Sequence, residues 1–369
     1  MKRNDLNRTS FIDWFLGNDG AISFAVVILG FIFGTIIVLL VGKNPINMYK
    51  SLLYSMIGRA RSNGGWNFRY IGETLNYSIP FVLCGFAMAF AYRVGLFNVG
   101  GEGQYIMGMT AAQTVALLLP PFPGQWVVCL LAAIMAGAIW GGIVGLLKAR
   151  FKVSEVVATI MLNYIALYLS RLICLQHPGA TTYNTAALPA TSKLAKFLIP
   201  SSNLNIGFFF MLAAVFIYWF VMEKTKAGFA FRATGYNQDA ARCSGIPVVR
   251  SISVSMAVAG AFAGLAGALV LLGGAYPKGR IIVSMDNYGF NGMAVALVGN
   301  CRAIGTLLAG LLFGVMKQSQ SLMQDMDIPK EITYIIQGLI VVFIALRAGL
   351  QLVREYRAKR IVASKVASV

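Results

Sequence analysis

The stretch "SISVSMAVAGAFAGLAGALVLLGGA", residues 251–275, decides the fold class of this chain. It carries no charged side chain over 25 residues, and about 20 consecutive apolar residues are enough for an α-helix to cross the hydrocarbon core of a bilayer. Gly260 and Gly264 lie four residues apart, a spacing that lets two helices approach closely in lipid. We therefore predict a membrane-spanning helix here that packs tightly inside a helix bundle.

Apolar segments of this kind recur along the whole chain. Of its 369 residues, 58% are hydrophobic and only 12% are charged, about half the charged fraction of an ordinary soluble protein. The sequence therefore predicts an all-α integral membrane protein with about ten transmembrane helices. The predicted spans are 21–42, 70–93, 103–119, 126–147, 153–176, 206–222, 251–275, 287–300, 303–322 and 331–346.

Basic residues set the predicted orientation. The net charge is +18, and Lys and Arg cluster before the first span, after the fourth, after the sixth and after the last. Because such residues accumulate in cytoplasmic loops, both termini are predicted to be cytoplasmic, and the excess charge does not indicate nucleic-acid binding. The predicted organisation is a cytoplasmic N-terminal segment (1–20), a transmembrane domain (21–346) with a cytoplasmic loop (223–250), and a basic cytoplasmic tail (347–369).

Two pairs of similar segments indicate an internal repeat. "EVVATIMLNYIAL" (155–167) opens the fifth span and "EITYIIQGLIVVF" (331–343) opens the tenth, while "GLFNVGG" (95–101) has a counterpart in "YGFNGMA" (288–294). Many transporters consist of two related halves. Two related five-helix halves are therefore a hypothesis for this chain.

The chain lacks the motifs of the common enzyme classes. It has no GxSxG, no HExxH and no phosphate-binding loop. Its five cysteines are scattered and His177 is the single histidine, so we expect no catalytic residue, cofactor or metal. A pump of this sequence would take its energy from another subunit. Few ionisable residues fall in the predicted spans, yet an ion-coupled secondary transporter or a channel stays an alternative.

The stretch "RVGLFNVGGEGQYIMG" (93–108) has four glycines within nine residues, Gly95, Gly100, Gly101 and Gly103. Each glycine costs about 1 kcal/mol against alanine in a helix interior. Irregular backbone at membrane depth survives only where protein buries it or where it lines a cavity. Two interpretations stay open here, a break between two spans beside a transport path and a tight cytoplasmic turn.

The stretch "FRATGYNQDAARCSGIP" (231–247) predicts a short, capped helix in water. Asn237 suits the N-cap, Asp239 the first turn, and Gly245 the C′ position. Two turns of helix are unstable alone, and the small residues Ala240 and Ala241 would let a partner approach closely. A well-capped connecting turn is the alternative interpretation.

Three stretches carry a resemblance to a known family. "GLFNVGGEGQ", "EVVATIMLNYIAL" and "FRATGYNQDAARCSGI" resemble the permease subunits of bacterial ABC importers for branched-chain amino acids, simple sugars and nucleosides. The likeness covers about residues 45–346, and "GLFNVGGEGQ" is most similar to the longer of the two paired permeases of nucleoside importers. Val99 and Gly101 stand where Ile and Ala are more usual.

The resemblance implies a setting in the bacterial cytoplasmic (inner) membrane. It implies an ABC ATPase subunit, a second and non-identical permease, and an extracytoplasmic substrate-binding lipoprotein as partners. Nucleosides are the expected substrate, with simple sugars or branched-chain amino acids as alternatives.

The resemblance also suggests roles for two sets of residues. Helix 237–244 resembles the coupling helix that docks on the ATPase, and its candidate residues are Asn237, Asp239, Ala240, Ala241, Arg242 and Gly245. Nucleosides need ring stacking and amide-type hydrogen bonds. The candidate lining of the translocation path is therefore Phe97, Asn98, Glu102, Gln104, Tyr288, Phe290 and Asn291.

Overall fold

The computed structural model describes residues 19–59, 65–274 and 276–346, and the N-terminal segment and basic tail expected from the sequence lie almost wholly outside these ranges. Within them the chain forms thirteen α-helices, one 3-10 turn and two short strands. The helices are α1 (Asp19–Leu40), α2 (Pro45–Ile57), α3 (Arg69–Tyr92), α4 (Gly101–Leu118), α5 (Gln125–Phe151), α6 (Glu155–Cys174), α7 (Gly207–Lys224), α8 (Lys226–Tyr236), α9 (Gln238–Cys243), α10 (Val248–Leu272), α11 (Tyr288–Val298), α12 (Ala303–Gln324) and α13 (Glu331–Leu346).

Each of the ten predicted spans coincides with a helix, so the all-α membrane class is confirmed. Six of these helices, α1, α3, α5, α6, α7 and α10, are long and apolar enough to cross a membrane. Helix α11 has only 11 residues, which is about 16 Å and about half of the hydrocarbon core. Ten complete crossings and the orientation of the termini therefore stay predictions.

The stretch that opened the sequence analysis is helix α10, and it packs against α5 through glycines. A side chain at Gly260 would overlap the backbone of Gly137, and one at Gly264 would overlap the backbone of Ala133. The two backbones are thus in direct contact, which lipid-embedded helices achieve only with small residues at the interface. The predicted close packing of this span is confirmed.

Helix α3 lies at the centre of the bundle. Of its most apolar 18-residue window, 83% is buried, against 28% for α6 and α7. Phe86 stacks on Tyr218 of α7 with 4.7 Å between ring centroids, and Phe90 packs on Phe231 of α8 at 5.3 Å. The chain that follows α3 is buried in part, with Val94, Leu96 and residues 98–100 buried and Gly95 and Phe97 exposed.

The short sheet is the one departure from an all-helical fold in the described residues. Strands β1 (Asn184–Ala187) and β2 (Lys278–Arg280) pair antiparallel, with Asn184 opposite Arg280. They join the long loop after α6 to the loop after α10. Strands of four and three residues are too short to leave a recognisable alternation in the sequence.

Candidate functional site

The break between α3 and α4 is a compact, buried turn. Asn98 and Gln104 pair through their side-chain amides, with Asn98 Nδ2 donating to Gln104 Oε1 at 3.1 Å, and the Gly100 amide donates to Asn98 Oδ1 at 3.0 Å. Both side chains are about 1% exposed. In this conformation they hold the turn together, whereas Phe97 beside them is 38% exposed.

Asn163 of α6 fixes the same turn from outside. Its Oδ1 accepts from the Gly103 amide at 2.8 Å, and its Nδ2 donates to the Val99 carbonyl at 3.0 Å. A side chain at Gly103 would press on the backbone of Asn163, which explains a glycine there. Asn163 lies in the segment 155–167 of the predicted repeat, but no local pattern in the sequence indicates this contact.

Glu102 joins two helix N-termini. Its carboxylate is fully buried and accepts hydrogen bonds from the Asn287 amide at 2.8 Å and the Gly289 amide at 2.7 Å. Glu102 belongs to the first turn of α4, and its side chain lies at the start of α11. A negative charge is favourable at the positive end of a helix dipole. Since each of the two oxygens accepts an N–H, the geometry fits the ionised carboxylate.

The segment before α11 runs back along α4. The Arg280 amide donates to Gln113 Oε1 at 2.7 Å, and seven residues later the Asn287 amide reaches Glu102. Gln113 and Glu102 are eleven residues apart on α4, which is about 16 Å along the helix axis. Residues 281–287 therefore form a non-helical, re-entrant segment that descends beside α4 and delivers α11 to the interior of the bundle.

Arg280 and Asp286 close this re-entrant segment. The guanidinium makes two hydrogen bonds to the carboxylate, at 2.8 and 2.9 Å, and the Tyr105 hydroxyl donates to Asp286 Oδ2 at 3.1 Å. Arg280 also lies 4.4 Å from the ring centroid of Tyr276. Two-pronged Arg–carboxylate pairs fix geometry as well as adding energy. The sequence does not indicate this pair, because five ordinary loop positions, 281–285, lie between the two residues.

The aromatic candidates meet around the start of α11. The ring of Tyr288 lies 5.1 Å from Phe81 of α3 and 5.6 Å from Tyr105 of α4. Phe290 and Asn291 follow it and are half-buried, while Asn287 is exposed. The structure thus brings Glu102 and Tyr288 together at one place, and puts Asn98 and Gln104 in the buried turn at the start of α4.

Helix α9 has the ends expected from its sequence. Asn237 Oδ1 accepts from the Asp239 and Ala240 amides at 2.9 and 3.0 Å, which confirms the N-cap. Gly245 has a φ of +79°, the left-handed conformation expected at C′. Asp239 Oδ1 and Arg242 Nη1 are 4.0 Å apart on the exposed surface.

The expectation that Ala240 and Ala241 both face a partner is wrong for Ala241. Ala241 is only 4% exposed and packs into the hydrophobic core of this chain, whereas Ala240 is exposed. Consecutive helical residues are about 100° apart around the axis, so the two alanines do not share one face. The surface that α9 offers to a partner consists of Asn237, Asp239, Ala240, Arg242 and Gly245.

Ion pairs link α7 and α8, the helices that precede α9, to the start of the buried turn after α3. Arg93 at the end of α3 and Arg232 of α8 each bind one carboxylate oxygen of Glu223 in α7. Gly95, with a φ of +81°, lies against the backbone of Gly235 at the end of α8. The helices that carry α9 therefore contact the turn that leads into α4.

Comparison with known protein families identifies the family of this chain. The model of the family described as branched-chain amino acid transport system / permease component matches residues 70–345. The chain belongs to this permease family. The resemblance noted in the sequence is thereby confirmed, and the chain is a permease subunit and a multi-pass membrane protein.

Individual relatives of this permease have known assignments. It is 37% identical to the guanosine ABC transporter permease protein NupP of Bacillus subtilis over 86% of this chain and 91% of the relative. It is also 37% identical to the nucleoside ABC transporter permease protein NupB of Lactococcus lactis over 92% and 94%. A second guanosine permease of Bacillus subtilis, NupQ, is 28% identical over 66% of this chain and 80% of the relative.

The single histidine and the acidic side chains of this permease form no cluster in the part of the chain that the structure describes. Its residues 19–59, 65–274 and 276–346 contain no group of three or more His, Cys, Asp or Glu side chains that could hold a metal ion. His177 pairs with Thr114, its Nε2 lying 3.1 Å from the hydroxyl. Burial lowers the pKa of His177 below its ordinary value.

Proposed function

We propose that this permease forms the path by which an ATP-driven importer carries nucleosides across the bacterial cytoplasmic membrane. The observation that carries the substrate class is 37% identity, over most of the chain, to two permeases assigned to guanosine and to nucleosides. ATP is hydrolysed by a separate ATPase subunit, so this chain is not an enzyme.

The start of α11 is the proposed lining of the path. A helix that begins inside the bundle and is preceded by non-helical backbone is the arrangement transporters use to build solute sites. Tyr288 and Phe290 supply ring faces for a nucleobase, and Asn291 supplies an amide. Phe97 lines the path from the opposite turn. Glu102, Asn98 and Gln104 act behind this surface by holding α11 and the turn in place.

Helix α9 is the proposed contact with the ATPase. Its exposed residues Asn237, Asp239, Ala240, Arg242 and Gly245 would dock on that subunit. Buried Ala241 fixes the helix to the membrane domain, so that a push on α9 moves α8 as well. The ion pairs of Glu223 then carry the displacement to the turn before α4.

A second permease and a substrate-binding lipoprotein complete the proposed importer. Bacillus subtilis has two permeases, NupP and NupQ, that are both assigned to guanosine, and this chain resembles NupP more than NupQ. A path between two non-identical permeases is consistent with that pairing.

Uptake measurements test the proposed substrate class. Cells that express the intact importer should accumulate labelled guanosine, and unlabelled purine and pyrimidine nucleosides should compete with it, whereas leucine and glucose should not. Uptake should require an intact ATPase subunit and should survive a protonophore that leaves ATP levels unchanged. Competition by leucine or glucose alone would assign another substrate, and ATPase-independent uptake would support an ion-coupled carrier or a channel.

A further inference from the structure

A wide cleft lies between α1, α7, α8 and the start of α12. Its volume is about 1360 Å³, larger than the roughly 300–1,000 Å³ of typical small-molecule sites. None of the seven candidate path residues lines it. The cleft is therefore separate from the path proposed above.

One end of the cleft is basic. Among the described residues that line it, Arg93, Arg232 and Arg302 face the single acidic residue Glu223, which leaves a net formal charge of +2. Glu223 already pairs with Arg93 and Arg232. Arg302 is exposed and forms no ion pair with any residue of the described ranges. The guanidinium donors of Arg302 are thus left over for an anion.

The other end of the cleft is apolar. Ile304, Leu308 and Leu312 follow one another at four-residue intervals along α12 and form a stripe about 12 Å long. Phe24 of α1 faces the same cleft and is 69% exposed. Since α1 and α12 are predicted membrane helices, these side chains would face the acyl region of a bilayer.

The two ends are fixed relative to each other by α7. The Tyr218 hydroxyl donates to the Cys301 carbonyl at 2.6 Å, so Arg302 lies beside α7 about one and a half turns from Glu223. The basic end therefore lies on the side of the bundle that carries α8 and α9, and the apolar stripe runs away from it. A ligand that fills this cleft must have an anionic head and a long apolar body.

We propose that the cleft is a binding site for an anionic phospholipid. Its phosphodiester would lie at Arg302, and its acyl chains would lie along α12 and against Phe24. Basic pockets between transmembrane helices are known to suit anionic head groups. A nucleoside would not suit this cleft, because it is neutral and lacks an apolar chain.

Lipid retention by the purified importer tests the proposal. The complex is exchanged into mild detergent with either phosphatidylglycerol or phosphatidylcholine, and the lipid bound per complex is counted by native mass spectrometry. Phosphatidylglycerol should be retained and phosphatidylcholine lost. Arg302→Gln should weaken phosphatidylglycerol retention about fivefold, the effect of one basic residue at a lipid surface. Arg250→Gln, an exposed position outside the cleft, is the matched control and should change nothing.

Five outcomes would overturn the proposal. Equal retention of both lipids, or no effect of Arg302→Gln, would mean that the basic end recognises no head group. Equal thermal stabilisation by inorganic phosphate and by phosphatidylglycerol would mean that free phosphate binds instead. A photoreactive residue in place of Phe24 should cross-link to lipid, and capture of the ATPase subunit or of residues 1–18 of this chain would show a protein occupant.

Discussion

Replacing Glu102 by Gln should release α11 from the bundle interior. The carboxylate accepts two backbone amides, those of Asn287 and Gly289, one on each oxygen. A glutamine has the same shape but only one oxygen, and its NH₂ group would face the second N–H donor. The bond that is lost leaves its buried amide without an acceptor, which costs about 1–3 kcal/mol, and the contact between two N–H donors adds to that cost. We expect the local opening free energy to fall by about 3 kcal/mol in total.

Cys84 reports this opening. The Cys84 side chain is about 1% exposed and packs against Gly292 of α11, so that its thiol is shielded while α11 is in place. A loss of about 3 kcal/mol corresponds to roughly a hundredfold faster alkylation of Cys84, since each 1.4 kcal/mol is a factor of ten. The rate would be measured on the purified importer with exposed Cys243 replaced by Ser.

Two further variants make the result interpretable. Glu331→Gln makes the same chemical change at an exposed helix start and should leave the Cys84 rate unchanged. Glu102→Asp keeps the charge on a shorter side chain and should give an intermediate rate. If the alkylation rate of Cys84 in the Glu102→Gln variant is within threefold of the rate in the parent protein, the Glu102 carboxylate does not hold α11 in place.

Three other expectations follow from the packing and the loops. Gly260→Ala should destabilise the bundle by about 2 kcal/mol through overlap with α5, whereas Gly142→Ala, whose added carbon meets only one side chain at 3.6 Å, should be neutral in thermal unfolding. Ala240→Arg should reduce substrate-stimulated ATP hydrolysis in an assembled importer, whereas Ala241→Arg should prevent correct folding, as seen by protease resistance. Burial lowers the pKa of His177, so stability should decrease as the pH falls below about 6.5, and His177→Gln should remove that dependence in thermal scans.

The features that sequence alone predicted are those governed by neighbouring residues. The apolar length of α10 and the caps at Asn237 and Gly245 depend on a few adjacent positions, and the structure has them as expected. The placement of Ala241 was missed for a different reason. The expectation that both alanines are exposed rests on the composition of the segment, whereas the helical phase separates Ala241 from Ala240 by about 100°.

The centre of the candidate site depends on contacts between distant positions. The two amides that Glu102 binds are 185 and 187 residues further along the chain, and Asn163 is 60 residues from the glycine that it contacts. No periodicity marks residues 281–287, because contacts with distant residues hold this segment, among them Asn287 with Glu102 and Asp286 with Tyr105. A single sequence therefore indicated that residues 95–104 and 288–291 matter, but not that Glu102 connects them.

These contacts form one continuous chain from the proposed ATPase contact to the proposed path. Helix α9 is anchored through Ala241, α8 touches Gly95 through Gly235, and the turn leads directly into Glu102 and α11. Where glycine backbones meet there is no side chain that could bend and absorb a displacement. A movement of α8 must therefore either separate these backbones or move the turn with it. Contact alone does not measure energetic coupling, so the decisive quantity is the coupling energy between substitutions in α9 and at Glu102 in a double-mutant cycle.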